Sequence, residues 1–465
     1  MLSRSTRQPV IVQGGTGVGV SSWRLAQAVA RTGQLGVVSG TALDVVVSRR
    51  LQDGDPGGHV RRALYDFPLP AVAEQVLARY FRPGGRRGVP YLPLPRPALR
   101  RAAGGDELTV VSTFVEVWLA KEGHSGQVGI SCPEKIQLSV PASVYGALLA
   151  GADHILAGTS ISGQIPRLLD DLSAQRPGTV HVDVAGGVPH PSALDPASLG
   201  GNRLPPLRRP SFLATVPSHA LTDHLDSLDH LGPARSTRPD GFVVESPLGD
   251  DGLAALTDLG LPFWLAGGCG EPERVRAALA AGASGVQVGT LFTLSLESGL
   301  DEPVREGLLQ ELRSGTLRVR TDVSASPDGL PLTIASLKGT LSEPEVYDLR
   351  PRLCDLGYLR TPYRRGNGST GYRCPAEPVD VFLRKGGAPE DAAGARCLCN
   401  ALLADVGLGQ RRRSGYGEVP LVILGADLAG ARRLDAEHWL HGGSAAGWSA
   451  AEAVAWLLRE VGARG

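Results

Sequence analysis

Short apolar runs alternate with stretches of helical periodicity from the amino terminus to about residue 320. Eight runs have the length and composition of strands: VIVQG (10–14), LGVVSG (35–40), QVGISC (127–132), HILAGT (154–159), FLATV (212–216), GFVVES (241–246), FWLAGG (263–268) and GVQVGT (285–290). Nearly every position in them is apolar, as in parallel strands covered on both faces, whereas a half-exposed strand would alternate. The segments between them carry helix signals. EPERVRAALAAGA (271–283) has acidic residues in its first turn, an early proline and a glycine at its end, each matched to the polarity of a helix. TVVSTF (109–114) has strand-like composition but flows into FVEVWLAKEG, whose apolar residues recur at helical spacing, so it is assigned to a helix. Eight βα units predict a closed (β/α)8 TIM barrel, with a doubly wound open sheet as the alternative.

Three stretches break the rhythm. Residues 52–105, rich in Gly, Pro and Arg (RPGGRRGVPYLPLPRPALRR), form an excursion after strand two. Residues 185–210 read as a Pro-rich linker within the barrel. Beyond VRTDVSASPDGLP the βα pattern is lost, so the expected division is a barrel over 1–320 and a C-terminal extension over 321–465. One clear amphipathic helix, SAAEAVAWLLREV, lies near the end of that extension.

Composition narrows the partners. Lys plus Arg equals Asp plus Glu at 47 each, so no net field draws the chain to nucleic acid or an anionic membrane. Hydrophobic content of 42% with 20% charged residues fits a folded globular chain. No apolar run approaches the roughly 20 residues that span a bilayer, and no secretory h-region precedes the first strand. A cytoplasmic protein is expected, acting on a small molecule, with homo-oligomerisation open. Six cysteines without an export signal argue against a disulfide framework. Four of them fall late, at Cys354, Cys374, Cys397 and Cys399. Their spacings match none of the usual C-x2-C pairs, so buried, redox-idle thiols are expected, with zinc as the alternative.

The candidate chemistry sits where strands seven and eight end in glycine. In βα barrels the working face lies at the carboxyl ends of the strands, and the loops after the last two commonly build a phosphate site. Glycine lets main-chain N–H groups approach an anion without a Cβ in the way. Gly267 and Gly268 end strand seven, Gly289 and Thr290 end strand eight, and Gly14 and Gly15 end strand one beside them. A helix begins after each of strands seven and eight and adds its N-terminal dipole. Lys135, in SCPEKIQ directly after strand three, faces the same mouth as the glycines.

VIVQGGTGVGVS, EVWLAKEGH, PEKIQ, FWLAGGCG, GVQVGT, GTLSEPEVYDLRPRLCDLGYL and RCLCNALLADVGLGQ together resemble the nitronate monooxygenase family, formerly the 2-nitropropane dioxygenases. The likeness runs over nearly the whole chain, and the last two motifs resemble the long form with a C-terminal extension. The resemblance implies a TIM barrel binding FMN non-covalently, with the glycines on its phosphate. It implies Gln13 and Gly14 against the isoalloxazine ring, and a polar floor from Lys135 and Gln137. The implied activity is oxidation of a small carbon acid, such as a nitronate, with O2. Related barrels suggest an NAD(P)H-linked or enoyl reductase as the alternative, and loss of catalysis would leave a scaffold in a specialised biosynthetic pathway.

The sequence departs from the family at strand six. There the family carries a histidine in an AGGH motif, whereas this chain reads GFVVESPLGDDGLAALTDLGLPFW, with no histidine and no glycine pair. Thr16 stands where methionine is usual, and strand five lacks the lysine of smaller relatives. A proton acceptor near a carbon acid must then come from elsewhere. His219, just after strand five, and Glu245, ending strand six, are the expected candidates, with Asp250 nearby. His124 falls on the amino-end face, and His190 lies in the expected linker. Cys269 reads as a small side chain at a tight turn.

Overall fold

The computed structural model describes residues 8–100, 104–132, 136–223, 225, 237–245, 248–327, 329 and 331–461. In chain order, β1 (Ile11–Gln13), β2 (Gly36–Ser39), β3 (Val128–Cys132) and β4 (His154–Gly158) come first. A hairpin of β5 (Gly178–Val182) and β6 (His190–Leu194) intervenes, and then β7 (Ser211–Val216), β8 (Gly241–Glu245), β9 (Phe263–Ala266) and β10 (Gly285–Val288) follow. Apart from the hairpin, these strands form one eight-stranded sheet of parallel pairs, with β1 beside β10 and β2 at the far edge. A parallel bridge between Val12 and Leu35 joins the two edges. The Gln13 N–H donates to Leu35 O at 2.9 Å and the Leu35 N–H to Ile11 O at 3.0 Å. The sheet is therefore a closed barrel, and each of the eight expected runs overlaps one of its strands.

Alternation along the strands divides the core in two. Val12, Leu35, Val37, Leu156, Leu213, Val243, Trp264 and Ala266 form a separate buried cluster, the filling inside the barrel. Their strand neighbours Ile11, Val38, Ile155, Phe212, Val244 and Phe263 join the larger cluster under the helices. A period of two with both faces apolar explains why the strand sequences read as unbroken runs. Trp264 inside the barrel donates its indole N–H to Pro9 O at 2.8 Å, satisfying the polar end of a fully buried ring.

TVVSTF is helical, inside the 17-residue helix Gly105–Lys121. Asp106 and Glu107 stand in its first turn and Lys121 in its last, the arrangement the helix dipole favours. The excursion before it contributes helices His59–Tyr65 and Pro70–Tyr80, both packed on Gly105–Lys121. Its remaining residues reach the extension: the Tyr91 N–H donates to Gln410 Oε1 at 2.9 Å, and Arg96 Nε donates to Asp355 O at 2.8 Å. The 185–210 stretch is not simply a linker, since its residues 190–194 pair antiparallel with β5.

The extension adds two hairpins, β11 (Val319–Asp322) with β12 (Leu332–Ala335) and β13 (Thr361–Arg364) with β14 (Thr370–Arg373). Short helices follow, then the longer Ala429–Leu440. The expected boundary at 320 is crossed a second time at the end. Helix Ala450–Leu458, opened by a capping box of Ser449 and Glu452, packs against barrel helices Trp23–Arg31 and Pro272–Ala280. Val454, Trp456 and Leu457 enter the main core, so the extension is an insertion before a helix of the barrel's outer ring. Among the described residues no helix is long and apolar enough to cross a membrane.

Candidate active site

At the carboxyl ends of β1, β9 and β10 lies a cavity of about 470 Å³, within the roughly 300–1,000 Å³ usual for ligand sites. Gly14, Gly15, Gly267, Gly268, Gly289 and Thr290 all line it. The six positions come from three adjacent strands, and barrel closure brings them to one rim. Gly267 and Gly268 have φ of 81° and 68°, a left-handed path that side chains resist. Gly15 meets a different constraint: an added Cβ would fall 2.1 Å from Ser131 Oγ. Among the described residues, the N–H groups of Gly267, Gly268 and Gly289 find no hydrogen-bond acceptor. Helix Pro272–Ala280 begins just beyond the first pair.

The far wall comes from the extension, which sequence reasoning missed. Thr333 of β12 and the segment Ile423, Gly425, Ala426 and Asp427 line the same cavity, as does Ala431 in the first turn of helix Ala429–Leu440. The Gly270 N–H donates to Asp427 Oδ2 at 3.2 Å, and Thr290 Oγ1 donates to Gly425 O at 3.4 Å. A Cβ on Gly430 would lie 1.9 Å from Gly270 O, so the two main chains touch. The available signal was GADLAG (425–430), a second glycine-punctuated stretch ahead of a helix.

Gln13 is placed differently from expectation. It is fully buried and not among the residues lining the cavity. Its Oε1 accepts from the Val37 N–H at 2.9 Å, and its Nε2 donates to Ser21 Oγ at 2.9 Å and to Gly14 O. The side chain thus extends the short seam between β1 and β2, where ladder bonds run out. Lys135 lies outside the described residues. Gln137 begins the turn Gln137–Ser139 and is not part of the cavity lining. Thr16 and Cys269 do line it.

The two acid–base candidates separate. Glu245, at the end of β8, is exposed and lines the cavity. His219 is exposed in the turn Ser218–Ala220 and is not among the lining residues. Asp250 begins helix Asp250–Asp258. His124 is structural, its Nδ1 accepting from the Gly126 N–H at 3.0 Å and its Nε2 lying 2.7 Å from Ala120 O. His190 belongs to β6, its Nδ1 2.9 Å from Pro191 O. Among the described lining residues, Glu245 and Asp427 are charged, and there is no lysine, arginine or histidine. Among the described residues, the donors that could meet an anion here include main-chain N–H groups.

That wall fits a phosphate ester: three N–H groups without partners, glycine where a Cβ would intrude, and room for a flavin-sized molecule. No protein-family profile matches the chain. Imidazole glycerol phosphate synthase subunit HisF of Corynebacterium diphtheriae is 28% identical over 219 residues, 43% of this chain and 79% of HisF. HisF of Corynebacterium glutamicum strain R is 29% identical over 208 residues, 41% of this chain and 74% of HisF. FabK from Thermotoga maritima superposes with a TM-score of 0.47 at 12% identity, covering 98% of this chain and 93% of FabK. Nitroalkane oxidase from Streptomyces ansochromogenes gives 0.41 at 14% identity, with 97% and 96% covered. The enoyl reductase domain of MlnA from Bacillus amyloliquefaciens gives 0.46 at 13%, with 97% and 95% covered.

Proposed function

We propose that this chain is an FMN-dependent oxidoreductase that oxidises a small carbon acid, such as a nitronate, with O2. The observation that carries the reading is the convergence of Gly14, Gly15, Gly267, Gly268, Gly289 and Thr290 on one cavity at the carboxyl ends of the strands. The family motifs in the sequence support it, and a phosphate ester in the name of the HisF relatives is consistent with the cradle. FMN, when bound, supplies the electron-accepting chemistry. The chain's part is to hold the phosphate on the Gly267, Gly268 and Gly289 amides and to exclude water with the wall from the extension. Glu245 is the group assigned to take the substrate's carbon-bound proton, because it is the described carboxylate on the barrel's side of the cavity.

The purified protein is expected to be yellow and to consume O2 with a nitronate. Glu245→Gln should keep the flavin bands while lowering turnover about 10²-fold or more, the usual contribution of a general base. A second reading, a flavin reductase drawing on NAD(P)H, is favoured by the absence of histidine among the described lining residues, since hydride delivery to a flavin needs no protein base. Anaerobic bleaching by NAD(P)H, without nitronate-dependent O2 uptake, selects that reading. A colourless protein that takes up no FMN defeats both.

A further inference from the structure

The four late cysteines come together. Cys354 lies in the loop before β13, Cys374 directly follows β14, and Cys397 and Cys399 flank Leu398 at the start of helix Leu398–Ala404. All four line one enclosed space of about 10 Å³, and none forms a disulfide. Three separate stretches of chain thus bring four cysteines to the walls of one small space, which the C-x-C spacing alone could not foretell.

Ordinary packing explains the cluster poorly. The buried group centred on it consists of Cys374, Ala376, Ala395 and Cys397, with Cys399 against it. The flanking elements are slight: β13 and β14 have four residues each, and helices Val379–Arg384 and Pro389–Ala392 have six and four. Beyond its partner β14, β13 gains only a bridge to Ala185, and small units with little apolar material of their own often rely on a cross-link or a metal. Arg360 and Asp355 line the same space as the four cysteines. The Glu377 carboxylate is bound to Lys385 Nζ at 2.6 Å and accepts from the Cys374 N–H at 3.2 Å.

We propose that Cys354, Cys374, Cys397 and Cys399 form a structural tetrathiolate zinc site. Zinc takes four sulfurs at about 2.3 Å in a tetrahedron, and each thiol gives up its proton on binding. Among the described residues no three His, Cys, Asp or Glu side chains already stand in a ligating array, so zinc binding would have to draw the four side chains into their shared space.

Elemental analysis of the purified full chain, expressed with zinc in the medium, tests this without reference to activity or flavin. About one zinc per chain is expected. Cys374→Ser and Cys397→Ser should lose it, and Cys132→Ser, on a barrel strand, should retain it. Should the cysteine variants fail to fold, thiol counting on the native wild-type chain decides: four thiols should become reactive only after a zinc chelator is added. Substoichiometric zinc, iron in its place, a disulfide among the four, or equal zinc loss in Cys132→Ser overturns the proposal.

Discussion

The barrel and the extension are held together by opposite means. Barrel residues pack in two apolar layers, inside and outside the strands, and the site at their carboxyl ends is made of main chain. Between residues 340 and 425, strands and helices are short, and a small apolar cluster including Leu341, Leu356, Leu403 and Leu421 is joined by a buried ionic network. Glu418 accepts from Arg350 Nε at 3.1 Å and from Arg412 Nη2 at 2.8 Å, and Arg412 Nη1 donates to Asp355 at 2.6 Å. The Glu418 side chain is fully buried and that of Arg350 is 1% exposed. An apolar core tolerates local change, whereas a buried ionic network fails when one member is removed. The contrast predicts where each region breaks.

The largest effect is expected from Glu418→Ala, which leaves the buried Arg350 without its carboxylate and Arg412 with Asp355 alone. Loss of about 3–5 kcal/mol is expected, read by urea unfolding, with protease cuts appearing first within 340–425. A change below about 1 kcal/mol would mean the network is not what orders this region. The barrel's own weakness is to acid. Burial pushes the His154 imidazole on β4 down to about 4, with Nε2 2.8 Å from Gln127 Oε1. The unfolded chain takes up that proton more readily, so the neutral ring's contribution is complete above pH 6.5 and is lost as the pH falls through 4. From the shift this amounts to about 3 kcal/mol, and His154→Gln should flatten that part of the stability–pH curve. A wild-type curve already flat between pH 6.5 and 4 would refute the assignment.

At the shared wall, Gly267→Ala forces a side chain into a left-handed backbone, at about 1–2 kcal/mol. FMN affinity should fall about tenfold, measured by fluorescence quenching on titration. Asp427→Asn should act in the other direction, raising FMN affinity a few-fold by removing a carboxylate from the lining; weaker binding would assign Asp427 a supporting role. His219→Ala is expected to change neither affinity nor turnover by more than about twofold, because the residue is exposed and outside the cavity lining.

What the sequence made legible follows the same division. Each barrel strand was readable because covered parallel strands leave long apolar runs, and the glycine rim because βα topology puts all strand ends on one face. Closure then aligned residues as distant as Gly14 and Gly289. The β5–β6 hairpin was hidden by prolines and glycines that read as linker. The family resemblance set Gln13 against a ligand; only the seam geometry shows its amide bridging β1 and β2. Asp427, Gly425 and the four converging cysteines owe their positions to contacts across many residues, and no local period records such contacts.

The bond from the Gly270 N–H to Asp427 has a thermodynamic corollary. Because one wall of the cavity belongs to each region, any molecule that needs both walls must favour the docked arrangement over a loosened one. By reciprocity it tightens the seating of residues 423–431 by as much as that seating improves its affinity. Occupancy of the cavity should therefore register far from it, as slower amide exchange along helix Ala429–Leu440.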